Sequence, residues 1–143
     1  MKLIPFQNKH IDEVSEIFES NIPYYFHESE KAEFLNFLNC PDILYFVLKD
    51  ATKIIGAGGI GENKDGTVSL CWGMIHKEKH GKGFGTFLVR ERINLCEKYF
   101  PNQTIITNTS QLTEEFFRKF GFKTIEAIED YWVKGIHLRK MVL

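Results

Sequence analysis

A strand-like run from Val68 to Ile75 leads into His80-Gly81-Lys82-Gly83-Phe84-Gly85, and an apolar-periodic segment continues from Phe84 to about Tyr99. Strand, glycine loop and helix in that order call for a layered α/β arrangement. Glycine lets the backbone turn tightly and approach a ligand closely. A helix N-terminus adds amides that lack intrahelical partners and the positive end of the macrodipole. The combination binds phosphate. Lys77, Lys79 and Lys82 bring positive charge to the same stretch. The loop therefore reads as a site for a phosphate-bearing ligand, or, more plainly, as a connection between strand and helix.

Spacing narrows the ligand. A Walker A loop requires G-x-x-x-x-G-K-[ST], but Gly81-Lys82 is followed by Gly83 and position 76 is His. The dinucleotide pattern G-x-G-x-x-G fails at this loop because position 86 is Thr. It is met by Gly56-Ala57-Gly58-Gly59-Ile60-Gly61, yet a polar turn, Glu62 to Gly66, and a further strand follow it. Without a helix that pattern cannot hold a pyrophosphate. It predicts instead a glycine-rich strand with a bulge or a close backbone approach.

What remains is a strand, then [QR]-x-x-G-x-[GA], then a helix. This resembles motif A of the GNAT superfamily of acetyltransferases, with His80 where Gln or Arg is usual and Gly83-Phe84-Gly85 intact. A second segment, Phe116-Phe117-Arg118-Lys119-Phe120-Gly121-Phe122, is similar to the family's motif B, commonly L-Y-E-K-L-G-F. Taken alone it would be an amphipathic helix with a glycine C-cap.

The rest of the chain is compatible. Its 143 residues suit one domain, 1–143, with a core. An apolar content of 43%, including 13 Phe, supplies material to bury. A net charge of −1 argues against nucleic-acid binding by bulk charge. There is no apolar stretch of about 18 residues and no signal-peptide pattern, so no membrane partner is expected and the cytoplasm is the expected location. The 3 cysteines, without C-x-x-C, fit a reducing compartment.

Periodicity and punctuation predict a strand at Leu3–Phe6, a helix over Lys9–Asn21 capped by Asn8, and a short helix after Ser29. Strands are expected at Ile43–Leu48, Ile54–Ile60, Thr67–Ile75, Thr104–Asn108, Phe122–Ile128 and Ile136–Val142. The helix from Phe84 should bury Phe84, Leu88, Leu95 and Tyr99, and another should span Thr113–Phe120. The result is a mixed, mostly antiparallel sheet of about seven strands with about four helices on both faces. That order also resembles the GNAT fold.

The resemblance implies acetyl-CoA as co-substrate, no metal, and transfer of the acetyl group to a primary amine. It places Gly73, Met74 and Ile75 along the pantetheine arm, with an oxyanion donor among their amides. It places His80, Gly81, Lys82, Gly83, Phe84, Gly85 and Thr86 at the pyrophosphate. Phe117 matches a position that often carries a Tyr acid, and phenylalanine cannot donate a proton. Ser110 stands where an Asn is common. Ser110 and Gln111, with Thr109, could bond the pantetheine or cap the next helix. A catalytic Glu of some members corresponds to Ser69.

Candidate bases are Glu62, otherwise a hairpin-turn carboxylate, and His76, otherwise a loop residue. His76 and His80 are not a metal pair, since that spacing needs a helix. The resemblance puts Tyr24, Tyr25, His27 and Glu28 over the acceptor pocket, where aromatic walls and a carboxylate suit a cationic amine. They could equally seal the core edge. The acceptor is a small molecule or a protein amine, and a homodimer through the last strand is possible. The alternative function is a non-catalytic acyl-CoA binding or sensing domain.

Overall fold

The computed structural model describes residues 1–143. Strands β1 (Lys2–Pro5), β2 (Leu44–Asp50), β3 (Lys53–Glu62), β4 (Val68–Ile75), β5 (Ile105–Ser110), β6 (Lys123–Val133) and β7 (Ile136–Val142) form one sheet in the order β1-β2-β3-β4-β5-β7-β6. Only the β4–β5 pair is parallel. The helices are α1 (Ile11–Ser20), α2 (Lys31–Leu38), α3 (Phe84–Tyr99) and α4 (Glu114–Arg118). None is long and apolar enough to cross a membrane. The mixed sheet and the four helices are those expected.

Alternation along the strands builds two apolar layers. On one face Phe18 of α1 stacks between Phe34 of α2 at 5.2 Å and Phe26 at 4.8 Å, above Tyr45, Val47, Ala57 and Met74. On the other, Val89 and Cys96 of α3 and Phe117 of α4 meet Ile60, Val68, Leu70, Phe122 and Met141.

Local details depart from the sequence reading in three places. Neither expected polar cap is used. His10 Nδ1 accepts from the Gln7 amide at 3.0 Å ahead of α1, and His27 Nδ1 accepts from the Ser29 amide at 3.1 Å ahead of α2. An imidazole nitrogen offers the same acceptor as a cap hydroxyl, and Glu30 Oε1 answers by accepting from the His27 amide at 3.1 Å. The buried stripe of α3 is Leu88, Val89, Arg92 and Cys96, whereas Tyr99 is 48% exposed. Strand β6 runs five residues past Ile128, to Val133, as half of a long hairpin with β7.

Candidate active site

Strand β4 pairs with β5 only at Val68–Ile105, Ser69–Ile106 and Leu70–Thr107. Beyond Leu70 the two strands part. The β5-side edge of Cys71–Ile75 faces a wedge whose other wall is Asn108–Ser110. At the top of the wedge stands α3. Gly81 (φ 72°) and Gly83 (φ 86°) both adopt the left-handed backbone that glycine takes without strain. Gly83 occupies the N-cap position, and no side chain caps the helix. The first bond down α3 runs from the Phe87 amide to Gly83 O at 3.1 Å. The Phe84, Gly85 and Thr86 amides thus point outward without protein partners, and no acidic residue stands in the first turn. Uncapped helix N-termini of this kind favour anions. The His80 ring is turned away from it: Nε2 donates to Ile75 O at 2.8 Å. Ile75 O also accepts from Asn21 Nδ2 at 3.0 Å, so the end of β4 is held from two sides.

The middle of β4 carries a bulge. Ala57 pairs with Met74 and Gly59 with Cys71, leaving Trp72 and Gly73 opposite Gly58 alone. The bulge falls where Gly73 leads one to expect it, but the left-handed residue is Trp72, at φ 45°. Its ring is pinned against Phe34 at 5.1 Å, and Tyr45 Oη donates to its carbonyl at 2.8 Å. Gly73 itself is exposed, and Met74 turns its side chain into the core. From the opposite face the guanidinium of Arg92 lies against Gly58 and Gly73. A Cβ on Gly73 would come within 2.5 Å of Arg92 Nη2, and one on Gly58 within 3.0 Å of Nε. Burial holds the Cys71 thiol up at about 11, so it is protonated and unreactive at neutral pH. Burial likewise lifts the Tyr45 phenol and lowers Arg92.

The remaining candidates scatter. Glu62 pairs with Val68, one register step from Ser69 and four to five residues, roughly 13–17 Å, down β4 from the Trp72–Gly73 bulge. There it accepts from Gln103 Nε2 at 2.7 Å, which leaves it a candidate base only through an intervening water. His76 Nδ1 accepts from the Glu78 amide at 3.2 Å and Nε2 lies 3.8 Å from Glu16, so it serves a turn. Ser110 Oγ accepts from the Leu112 amide at 3.2 Å. Gln111 spends both ends of its amide on the β6–β7 hairpin, donating to Gly135 O at 2.7 Å and accepting from His137 N at 2.8 Å. Phe117 is buried at 5.6 Å from Phe122. In the α1–α2 connection Tyr25 packs edge-on against His80 at 5.3 Å and against Tyr24 at 4.7 Å. That joins the aromatic segment to the glycine loop. His27 is occupied as a cap, while Glu28 and Tyr24 are exposed. No group of three or more His, Cys, Asp or Glu side chains is placed to hold a metal ion.

Asn21, Tyr45 and Arg92 escape the sequence reading. The only sequence signal was Arg92 itself, four residues from Leu88 and from Cys96 on the apolar stripe, where a charge is out of pattern.

Residues 15–143 match the family model described as an acetyltransferase (GNAT) domain. No curated protein matches significantly. Among solved structures, Ard1 from Thermoplasma volcanium superposes with a TM-score of 0.81 at 16% identity, over 99% of this chain and 95% of that one. An aminoglycoside 6'-N-acetyltransferase complexed with coenzyme A gives 0.75 at 17% identity, over 100% and 96%. YncA from Salmonella typhimurium, with its cofactor acetyl-CoA, gives 0.77 at 15% identity, over 100% and 92%. At such identities these likenesses speak for the fold.

Proposed function

The chain belongs to the GNAT acetyltransferase family, and on that premise we propose that it is an N-acetyltransferase that moves the acetyl group of acetyl-CoA directly to a primary amine. One observation carries this reading: the wedge between β4 and β5 ends on the uncapped amides of Phe84, Gly85 and Thr86. Those amides, with the backbone of Gly81 to Gly83, would receive the pyrophosphate. The unpaired edge of Cys71–Ile75 offers backbone donors and acceptors to an extended, amide-bearing arm. Acetyl-CoA supplies an activated thioester there.

The chain's own part is to orient and to polarise. A backbone amide in the bulge is the natural donor to the thioester oxygen. Direct transfer is the simpler route than an acetylated cysteine, since burial keeps the Cys71 thiol protonated. Neither candidate base touches the bulge: His76 serves a turn beyond β4 and Glu62 bonds Gln103 at its start, so the amine would lose its proton through water or arrive neutral. The aromatic segment Tyr24–Phe26, with Glu28 beside it, suits a cationic acceptor, a small amine or an exposed protein amine. Three free cysteines accord with work in a reducing cytoplasm.

A second reading has its own support. Phe117 offers no proton to a leaving thiolate, and a binding or sensing domain would keep the loop without the chemistry. Thermal melts with acetyl-CoA, CoA and NADH test the site, and CoA release across a panel of amines tests the reaction. Stabilisation by both CoA species but not NADH, followed by amine-dependent release, is the expected result. Stabilisation without release from any amine would favour the sensor. No stabilisation at millimolar acetyl-CoA would overturn both.

A further inference from the structure

Arg92 is a cation in the wrong place for stability. It is 3% exposed. No carboxylate lies within ion-pair reach of it. Its bonds are long ones, Nε to Leu88 O at 3.4 Å and Nη1 to Cys71 O at 3.5 Å. A buried guanidinium so weakly compensated costs more than a leucine or methionine in the same space. Two strands nonetheless make room for it, since a side chain on Gly73 would collide with the guanidinium and one on Gly58 would crowd it.

The place it occupies explains the arrangement. Arg92 approaches the bulge from the α3 face and engages the carbonyl of Cys71. Tyr45 approaches from the α1–α2 face and engages the carbonyl of Trp72, at 2.8 Å. Each carbonyl shares a peptide unit with the next amide, so the two bonds polarise the N–H groups of Trp72 and Gly73. Hydrogen bonds in series strengthen one another in a low-dielectric setting. Gly73, the exposed residue of the bulge, lies between them with a positive charge directly behind it.

We infer that Arg92, with Tyr45, is a positioning residue that holds and polarises the Cys71–Gly73 bulge so that its amide withdraws charge from the thioester oxygen. The inference rests on acetyl-CoA being the co-substrate. Arg92 touches no substrate and acts through the peptide units. It serves the addition step alone: charge is drawn from the carbonyl oxygen by a fixed cation behind the strand, while the thiol, lacking an acid at Phe117, departs as thiolate and takes its proton from water.

The test needs no acceptor. Isotope-edited infrared spectra of acetyl-CoA carrying ¹³C at the thioester carbonyl, bound to the wild type, to Arg92→Met, to Arg92→Lys and to Tyr45→Phe, report the polarisation directly. In the wild type the carbonyl stretch should fall below its value in water. Arg92→Met should lose at least half of that displacement while its affinity for CoA stays within about threefold. Arg92→Lys should keep part of it, and Tyr45→Phe should lose part. Where an amine is turned over, kcat should drop about 10- to 100-fold in Arg92→Met with KM for acetyl-CoA unchanged, less than for loss of a donor itself. A full displacement in folded Arg92→Met overturns the inference. If that variant does not fold, wild-type spectra from both Arg92→Lys and Tyr45→Phe overturn it equally. A wild type that binds acetyl-CoA without displacing the stretch overturns it and leaves the cofactor reading intact, whereas a wild type that does not bind acetyl-CoA overturns the cofactor reading.

Discussion

Replacing Gly83 by alanine separates the two tasks of the glycine loop. Gly83 sits at φ 86°, ψ −1°, where an L side chain costs about 1–2 kcal/mol. A Cβ there meets no protein atom within 4 Å, so that backbone cost is the whole effect on the free protein. For a chain of this size it lowers Tm by about 3–8 °C. The bound state suffers differently. The space a Cβ would enter lies beside the outward amides, and losing one charge-assisted hydrogen bond there removes about 1.5–3 kcal/mol. Affinity for CoA should fall about 10- to 150-fold. Asparagine, which tolerates left-handed backbone, should recover most of the Tm but little of the affinity. Melts with and without CoA, with calorimetric titration, give both numbers for each variant. CoA affinity unchanged in Gly83→Ala would refute the amide cradle, and an unchanged Tm would refute the left-handed N-cap.

Three further expectations are simpler. Burial raises the thiols of Cys71 and Cys96 from 9.0 to about 11, so the folded state favours the protonated form. That contribution is complete below pH 9 and is lost as pH rises toward 11; urea midpoints should decline over that interval, less steeply in Cys71→Ala. Phe34 is fully buried, stacked on Phe18 and tilted against Trp72, so Phe34→Ala should cost about 3–5 kcal/mol by denaturant titration. Glu62→Gln should leave acetyl transfer within about twofold across pH, because the carboxylate is held by Gln103 at the start of β4; loss of the acidic limb of the pH profile, where a carboxylate base would be protonated, would make it the base.

The glycine loop was legible because left-handed backbone at a helix start leaves few residue choices other than glycine. The strand order was legible because alternation and turn residues agreed along the chain. The place of Glu62 was legible as a hairpin-turn carboxylate: a turn joining β3 to β4 must lie at the start of β4, away from a loop that follows its end. The caps at His10 and His27 were invisible because an imidazole accepts a hydrogen bond as a hydroxyl does but is seldom counted as a cap. Arg92 was passed over because a charge on a helix is ordinarily solvated, and its burial depends on Gly58 and Gly73, distant in sequence until the strands pair. Gln111 failed for a similar reason, its partners lying in a hairpin 24 and 26 residues away.

The parting of β4 from β5 makes the sheet two half-sheets joined by a short seam, β1 to β4 on one side and β5, β7 and β6 on the other. A ligand lying in the wedge would act as a partial strand, adding rungs where the protein has none. Slow exchange of those amides of Cys71–Ile75 that face away from β3 would then register occupancy rather than folding stability.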